Sequence, residues 1–443
     1  MQFRDIKSEE VCEYLQNRFH IMTYSVTEEG VSRIILAKPE DVAEQIELVD
    51  LLGKDYIPGT FYLSEREDCP RFLFDEEIKN FKEWLYYKMK AEVDYLKTIS
   101  DLQEEIIRIG EEKLILYAMQ ILFFKTDNGL RICDVVTNQE YSDLFCKILL
   151  FLINGNSRET YNVFEQFNSL GLRLSLAVLK LTENYSLEQR LYQSIYSGLI
   201  GLDIKDYFGS TSKLGNGASI NLKYSNSIID TQIVKELEQK MAINMRLNDW
   251  SIYFREVIRS DEKRIICWFA DDYIPTVFEM KFIEEQLLAN DNLSFILVPR
   301  AGYYSNDICY TDVFPILNSD IFARLKDFYQ KGRFIVSEFG MDLGAFNGNR
   351  IRSGLLRQIN ISKTIVISGA RSFEMAQGLN KDVYFSGIAV CRKYTEAVTG
   401  IDMNTGEGVF LHAAPCAHLF SGFRYRSPCH PYAKRTVLSS RVS

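Results

Sequence analysis

Four short stretches in the second half of the chain hold residues that could do chemistry together. The first is Asp271-Asp272. The second runs from Arg300 to Asn306-Asp307. The third, Glu338 to Gly344, contains Asp342 between two glycines. The fourth is Ser368-Gly369-Ala370-Arg371. Carboxylates and an amide carbonyl are hard oxygen donors, which suit Mg²⁺, Mn²⁺ or a similar divalent ion better than a thiolate-seeking metal. Two arginines and glycine-rich turns suit a phosphate. A metal held against a phosphoryl oxygen stabilises developing charge and lowers the pKa of bound water. One such acid reads as a solvated loop residue or a helix cap. Three in register favour a site.

The segments between these stretches give the reason they should meet. Arg264–Ala270, Leu293–Val298, Arg333–Ser337, Thr364–Ile367 and Val383–Val390 are compact apolar runs. Between them Phe278–Leu288, Ile321–Tyr329, Ile351–Ile359 and Phe373–Leu379 have helical periodicity. Strands alternating with helices predict βαβ units and a parallel sheet. Strands that are apolar throughout predict cover on both faces. The expected fold class is α/β, a Rossmann-like and mostly parallel sheet with flanking helices, preceded by a mainly helical region. Ligands bind such sheets at the carboxyl ends of the strands. Each of the four stretches directly follows a strand, so Asp271, Asp272 and Asp307 are expected to converge on one ion.

This divides the chain into a mainly helical N-terminal region (1–260) of one or two subdomains, a Rossmann-like metal-binding domain (261–395) and a C-terminal extension (396–443). In the first region Glu76–Leu96, Glu111–Lys125 and Tyr141–Asn154 read as helices. Val31–Leu36 and Phe61–Leu63 read as short strands. Tyr207–Ser219 is a glycine-rich loop. It does not match a phosphate loop of the Walker type, because Lys213 precedes Gly215 instead of following the last glycine.

Composition narrows the function classes. Over 443 residues, 47% are hydrophobic and 25% charged, which excludes wholesale disorder and collagen-like structure. A net charge of −9 argues against general affinity for nucleic acid or anionic membrane. Nine irregularly spaced cysteines read as reduced thiols, not a disulfide framework. The N-terminus lacks a signal-peptide core, and the longest apolar runs, Leu114–Phe124 and Ile148–Ile153, are too short to span a bilayer. A cytoplasmic protein is expected. None of His20, His412, His418 and His430 falls within the α/β segment, which leaves no histidine-based triad there. Cys416, His418, Cys429 and His430 lack the spacing of a structural zinc site. Arg424, Arg426, Lys434, Arg435 and Arg441 read as a mobile basic end. Nothing near Cys267 or Cys309 marks an activated thiolate.

The order of these motifs, from Arg264 to about Arg392, resembles the damage-control phosphatase family, which is also known for acidic-residue methyltransferase-like members. The family's Asp-Asn-x-Gly-Glu after the first strand aligns with Asp271-Asp272-Tyr273-Ile274-Pro275. Its Asn-Asp followed by Thr and an acidic pair is similar to Asn306-Asp307 with Thr311-Asp312. Its Gly-x-Asp-x-x-Gly-like turn corresponds to Gly340–Gly344. Its Lys-Gly-x-Gly-Asn-aromatic-Glu is echoed by Ser368–Glu374. The likeness covers about a third of the chain and departs at Asp272 (usually Asn), Ile274 and Pro275 (Gly and Glu) and Ser368 (Lys).

What the resemblance implies is a divalent metal ion (Mn, Mg, Co or Ni) held by Asp271, Asp272 and Asp307. Asp271 and Asp307 would be the catalytic pair. Arg300, Asn306, Asp342, Ser368, Gly369 and Arg371 would bind the phosphate or substrate. The implied activity is metal-dependent hydrolysis of a small phosphorylated metabolite. The extra charge of Asp272 and the missing Lys carry metal binding further than turnover. They keep open a non-catalytic metal-binding member of the fold. A carboxyl methyltransferase rests on the family's other name alone, since no glycine-rich nucleotide loop follows the first strand. The sequence does not set the oligomeric state.

Overall fold

The computed structural model describes residues 21–27, 30–36, 102–122, 165–198, 245–301, 306–338, 351–369, 379–389 and 406–415, with isolated positions within 90–97, 234–241, 372–376 and 401–404. In chain order it comprises β1 (Ile21–Thr27), β2 (Gly30–Leu36), α1 (Gln103–Ile109), α2 (Glu111–Leu122), α3 (Glu165–Leu181), α4 (Leu187–Tyr196), β3 (Met245–Asn248), β4 (Arg264–Phe269), α5 (Tyr273–Ala289), β5 (Leu293–Val298), α6 (Tyr310–Leu317), α7 (Ala323–Gln330), β6 (Phe334–Val336), α8 (Ser353–Ile361), β7 (Thr364–Ser368), β8 (Asp382–Ile388) and β9 (Gly408–Ala413). Tyr141–Asn154, Phe61–Leu63, the Tyr207–Ser219 loop and the tail from Cys416 lie outside the described residues, as do most of Glu76–Leu96 and Phe373–Leu379.

β1 and β2 form an antiparallel hairpin. The other seven strands form one sheet, ordered β3-β9-β8-β7-β4-β5-β6. Neighbours run parallel except β8 and β9. This is an α/β fold built on a mostly parallel sheet. From β4 the chain winds outward through α5 to β5 and then β6. It then crosses back to β7 on the other flank of β4 and continues to β8. Winding therefore reverses between β4 and β7. In open α/β sheets the crevice at the carboxyl ends of the strands flanking such a reversal is the preferred ligand site.

Alternation along each strand serves two cores. Ile266, Trp268, Phe295, Leu297 and Val366 pack with residues of α3, α4 and α5 on one face. Cys267, Phe269, Ile296, Val298, Ile365 and Ile367 pack with Leu355, Leu356 and Ile359 of α8 on the other. Burial on both faces is why these strands are apolar at every position. α5 is buried on nearly every side. Pro275 falls in its first turn, where the missing N–H costs no helical hydrogen bond. The buried polar groups of α5 find partners across the fold. Glu284 pairs with Lys281 and accepts the Leu325 backbone N–H at 2.7 Å, which caps the first turn of α7. Gln286 accepts the Tyr253 hydroxyl at 2.8 Å.

The sheet is wider than residues 261–395. β3 comes from the N-terminal 260 residues and β9 from beyond 395. β9 lies antiparallel to β8, from Val383 opposite Ala413 to Ile388 opposite Gly408, and carries β3 on its outer side. Neither belongs to a βαβ unit, so neither has an adjoining crossover helix to announce it. Tyr196, ending α4, ties the N-terminal helices to this edge. Its hydroxyl oxygen accepts the Gly408 N–H at 3.0 Å, and a Cβ at position 408 would lie 2.5 Å from that oxygen. β9 also brings His412 into the sheet, where Nε2 lies 2.9 Å from Asp382 Oδ1. Asp382 opens β8, so this pair sits at the amino edge, away from the strand ends where the acids cluster. Among the described residues no helix is long and apolar enough to cross a membrane.

Candidate functional site at the carboxyl edge of the sheet

Beyond β4 and β5 the chain does not splay into solvent. Ala270 N–H still donates to Val298 O (3.1 Å), and Ile308 N–H donates to Asp271 O (2.8 Å). Tyr273 N–H donates to Asn306 O (2.8 Å) and Arg300 N–H to Ile308 O (3.0 Å). These bonds zip the two strand ends into a small ladder with Asp272 opposite Asp307. The flanking bonds make them a non-hydrogen-bonded antiparallel pair, the arrangement with the closest Cα atoms, about 4.5 Å. The same ladder sets Arg300 beside Cys309.

The Arg300 side chain is only 2% exposed and joins two of the acids. Its Nη2 donates to Asp271 Oδ1 at 2.6 Å and its Nε to Asp307 Oδ2 at 2.9 Å. A guanidinium fork holds two carboxylates in fixed relative orientation, as a lysine cannot. The sequence placed Arg300 against a substrate phosphate, whereas its guanidinium faces Asp271 and Asp307. Asp307 is buried, and Asp271 keeps 28% of its side chain exposed. Asp272 starts α5 but makes no capping bond with its carboxylate. Asp312, part of the acidic pair of the sequence motif, accepts the Cys309 N–H at 3.1 Å and so helps open α6. Among the described residues, the three carboxylates of Asp271, Asp272 and Asp307 thus cluster beside the Arg300 guanidinium. Among the described residues no three Asp, Glu, His or Cys side chains are disposed to hold one ion as they stand.

β7 enters the cluster from the other side of β4. Gly369 has φ +84° and lies so close to Asp271 that a Cβ would sit 2.0 Å from its Oδ2. Both the left-handed backbone and the contact require glycine here. Gly369→Ala is expected to displace the Asp271 carboxylate and lower stability by at least ~1–2 kcal/mol, the usual penalty for a side chain in that conformation. Thermal unfolding with a crystal structure of the variant checks this. An unmoved Asp271 at wild-type stability would contradict it.

Ser368, the last residue of β7, is buried. Its hydroxyl donates to Glu279 Oε1. Glu279 lies two turns into α5 and is fully buried. Burial pushes its carboxyl up to about 8, against the pull of the Ser368 hydroxyl and the Trp268 indole, while Asp271 and Asp272 push it further up. The indole N–H faces the carboxyl without closing a regular hydrogen bond, since Trp268 Nε1 and Glu279 Oε2 are both buried without one. Sequence reasoning missed Glu279. Its signal was an acid set between Phe278 and Met280, in a stretch (Ile274 to Ile283) whose other polar residues are Thr276 and Lys281.

Asp342 and Arg371, which the family resemblance implies bind the phosphate or substrate, lie outside the described residues. Arg352, at the start of α8, pairs with Glu338 beyond β6. Cys267 is a buried strand residue whose thiol burial pushes up to about 12, and burial also raises Cys309, so neither is a ready thiolate.

No family model matches this chain, and no curated protein matches it. Its fold is similar to the crystal structure of a DUF89 family protein from Pyrococcus horikoshii. At 14% sequence identity the TM-score is 0.52, over 74% of this chain and 96% of that one. The likeness thus reaches well beyond the third of the chain that carries the motifs, and what it shows is a shared fold.

Proposed function

We propose that this protein is a metal-dependent phosphatase acting on a small phosphorylated metabolite. The observation that carries this reading is the cluster of Asp271, Asp272 and Asp307 at the winding reversal of a sheet that resembles a DUF89 fold. Among the described residues of the cluster, three carboxylates against the Arg300 guanidinium leave two formal negative charges, which a divalent cation would balance. The donors are hard oxygens and suit Mn, Mg, Co or Ni. Asp271 and Asp307 would hold the ion, with Asp272 and Asn306 in the same cluster. When bound, the ion would polarise a phosphoryl oxygen and lower the pKa of a water. Arg300 holds the two carboxylates in place by one oxygen each. Gly369 lets the end of β7 lie against the Asp271 carboxylate.

Asp307→Asn is expected to reduce metal-dependent hydrolysis by about 100-fold or more, beyond the loss usual for an outer-shell change. A screen of Mn²⁺, Mg²⁺, Co²⁺ and Ni²⁺ against generic phosphate esters, wild type beside variant, tests the reading. Activity that survives in Asp307→Asn would sink it.

A second reading is a non-catalytic metal-binding member of the fold. It is favoured by the cations seen at the carboxyl edge: Arg300 and Arg352 both face carboxylates, and Ser368 stands where a lysine is expected. Tight metal binding without turnover of any ester would select it. The methyltransferase alternative gains no support, because Asp271-Asp272 lead straight into α5 with no glycine-rich loop.

A further inference from the structure

We propose that Pro275, Ile388 and the bare backbone of Gly198 form an apolar wall beside the acid cluster, and that this wall selects phosphate esters of apolar alcohols over those of polyols such as sugars. The inference rests on the reading of this edge as a phosphate site and names the class of alcohol it takes.

Three separate elements build the wall. Gly198 lies just past α4, Pro275 in the first turn of α5 and Ile388 at the end of β8. A Cβ on Gly198 would lie 3.4 Å from Ile388 Cδ1 and 4.0 Å from Pro275 Cγ, ordinary van der Waals contact. Ile388 packs against the hydrophobic core on its inner side. The three residues therefore meet, and each remains partly exposed.

Two routes tie this wall to the acids. Along α5, Pro275 follows Asp272 by three residues, a spacing that sets side chains about 5–6 Å apart on one side of a helix. Across the strand ends, Ser386 of β8 pairs with Ser368 of β7, so Gly387 and Ile388 run past the last paired residue of β7. A Cβ on Gly387 would lie 3.9 Å from Gly369 N, and Gly369 in turn lies against Asp271. Neither glycine puts a side chain between the carboxylates and the wall. A molecule with its phosphate at the acids thus has the wall within reach of its carbon chain.

The chemistry of the wall decides what that chain should be. Proline has no N–H, the isoleucine side chain has no polar atom and glycine has no side chain. A hydroxyl pressed against them gives up water and gains no side-chain partner, which costs free energy. A methylene in the same place is stabilised by leaving water.

The test is calorimetric binding of methylphosphonate, n-butylphosphonate and dihydroxypropylphosphonate to the Mn²⁺-loaded full chain. Hydrolysis of n-butyl phosphate and glycerol phosphate is measured beside it. In wild type n-butylphosphonate is expected to bind at least about tenfold more tightly than methylphosphonate, the low end for methylenes added in an apolar site. The dihydroxypropyl compound should show no such gain. Pro275→Gln sets a polar side chain on the wall at a first-turn position that suits glutamine. It should remove most of the butyl advantage and lower methylphosphonate affinity far less, whereas a loss of fold would weaken both alike. Ile388→Thr exchanges aliphatic surface for a hydroxyl and should act in the same direction. Equal affinity of wild type for the methyl and butyl compounds overturns the proposal and leaves the phosphatase reading intact. So does an equal gain from the dihydroxypropyl compound, or a butyl advantage kept in both variants. The expected binding pattern without hydrolysis of either ester removes the phosphatase reading and supports the wall. If none of the three compounds binds, both fall.

Discussion

Arg300→Leu lowers stability in chelator-treated buffer by about 3–5 kcal/mol, the cost usual when one partner is removed from a buried ion pair. Asp307, 5% exposed, loses its Nε partner, and Asp271, 28% exposed, loses its Nη2 partner. Two like charges then face each other with their neutralising group gone. Arg300→Lys recovers only part of the loss, because one ammonium does not reproduce a fork that spans two carboxylates. A divalent cation should restore part of the stability to Arg300→Leu if these carboxylates can take an ion, by mass action on the folded state. Urea unfolding with chelator and with Mn²⁺ measures both terms. A change below about 1 kcal/mol in chelator would place the pair among weak surface bridges and contradict its burial.

Raising the pH from about 5 to about 8 is expected to destabilise the wild type through Glu279. Its carboxyl titrates near 4.5 when unfolded and near 8 when folded. Between those values the native state keeps a proton that the unfolded chain has released, so each further rise favours unfolding. The slope approaches about 1.4 kcal/mol per pH unit, and the summed effect is of the order of a few kcal/mol. Stability is fully present below the unfolded value and is lost as the pH climbs through the folded one. Glu279→Gln has no proton to lose and should remove this component. The difference in unfolding free energy between wild type and variant across the window is the quantity to measure. A pH-independent difference would show that Glu279 is ionised in the fold and would fail the expectation.

These two outcomes bear on one electrostatic arrangement. Arg300 reduces the charge of the acid cluster from one side, and a neutral Glu279 avoids adding to it from below. Both features lower the repulsion among the three carboxylates at this edge.

Much of this was legible in the chain. Arg264–Ala270, Leu293–Val298 and Thr364–Ile367 are strands because burial on both faces demands apolar residues at every position, and that demand is written locally. The place of Asp271, Asp307 and Gly369 after those strands was legible for the same reason. α6 was not, because Pro315 inside it breaks the pattern that marks a helix. β3 and β9 were not, because a four-residue edge strand and an antiparallel return have no crossover helix to reveal them.

Residue type and local period determined the class of fold, the order of its strands along the chain and the hard-oxygen character of the strand ends. The tertiary structure alone decided which strand ends touch. The chain returns from β6 to β7 beside β4, and this sets Gly369 against Asp271, more than ninety residues apart, and Ser368 over Glu279. It also set Arg300, expected from the sequence to bind a phosphate, across two aspartates. Periodicity is a short-range record of burial. Pairings across a sheet follow from how all the helices and strands pack at once, so a charge's partner is decided only when the fold closes.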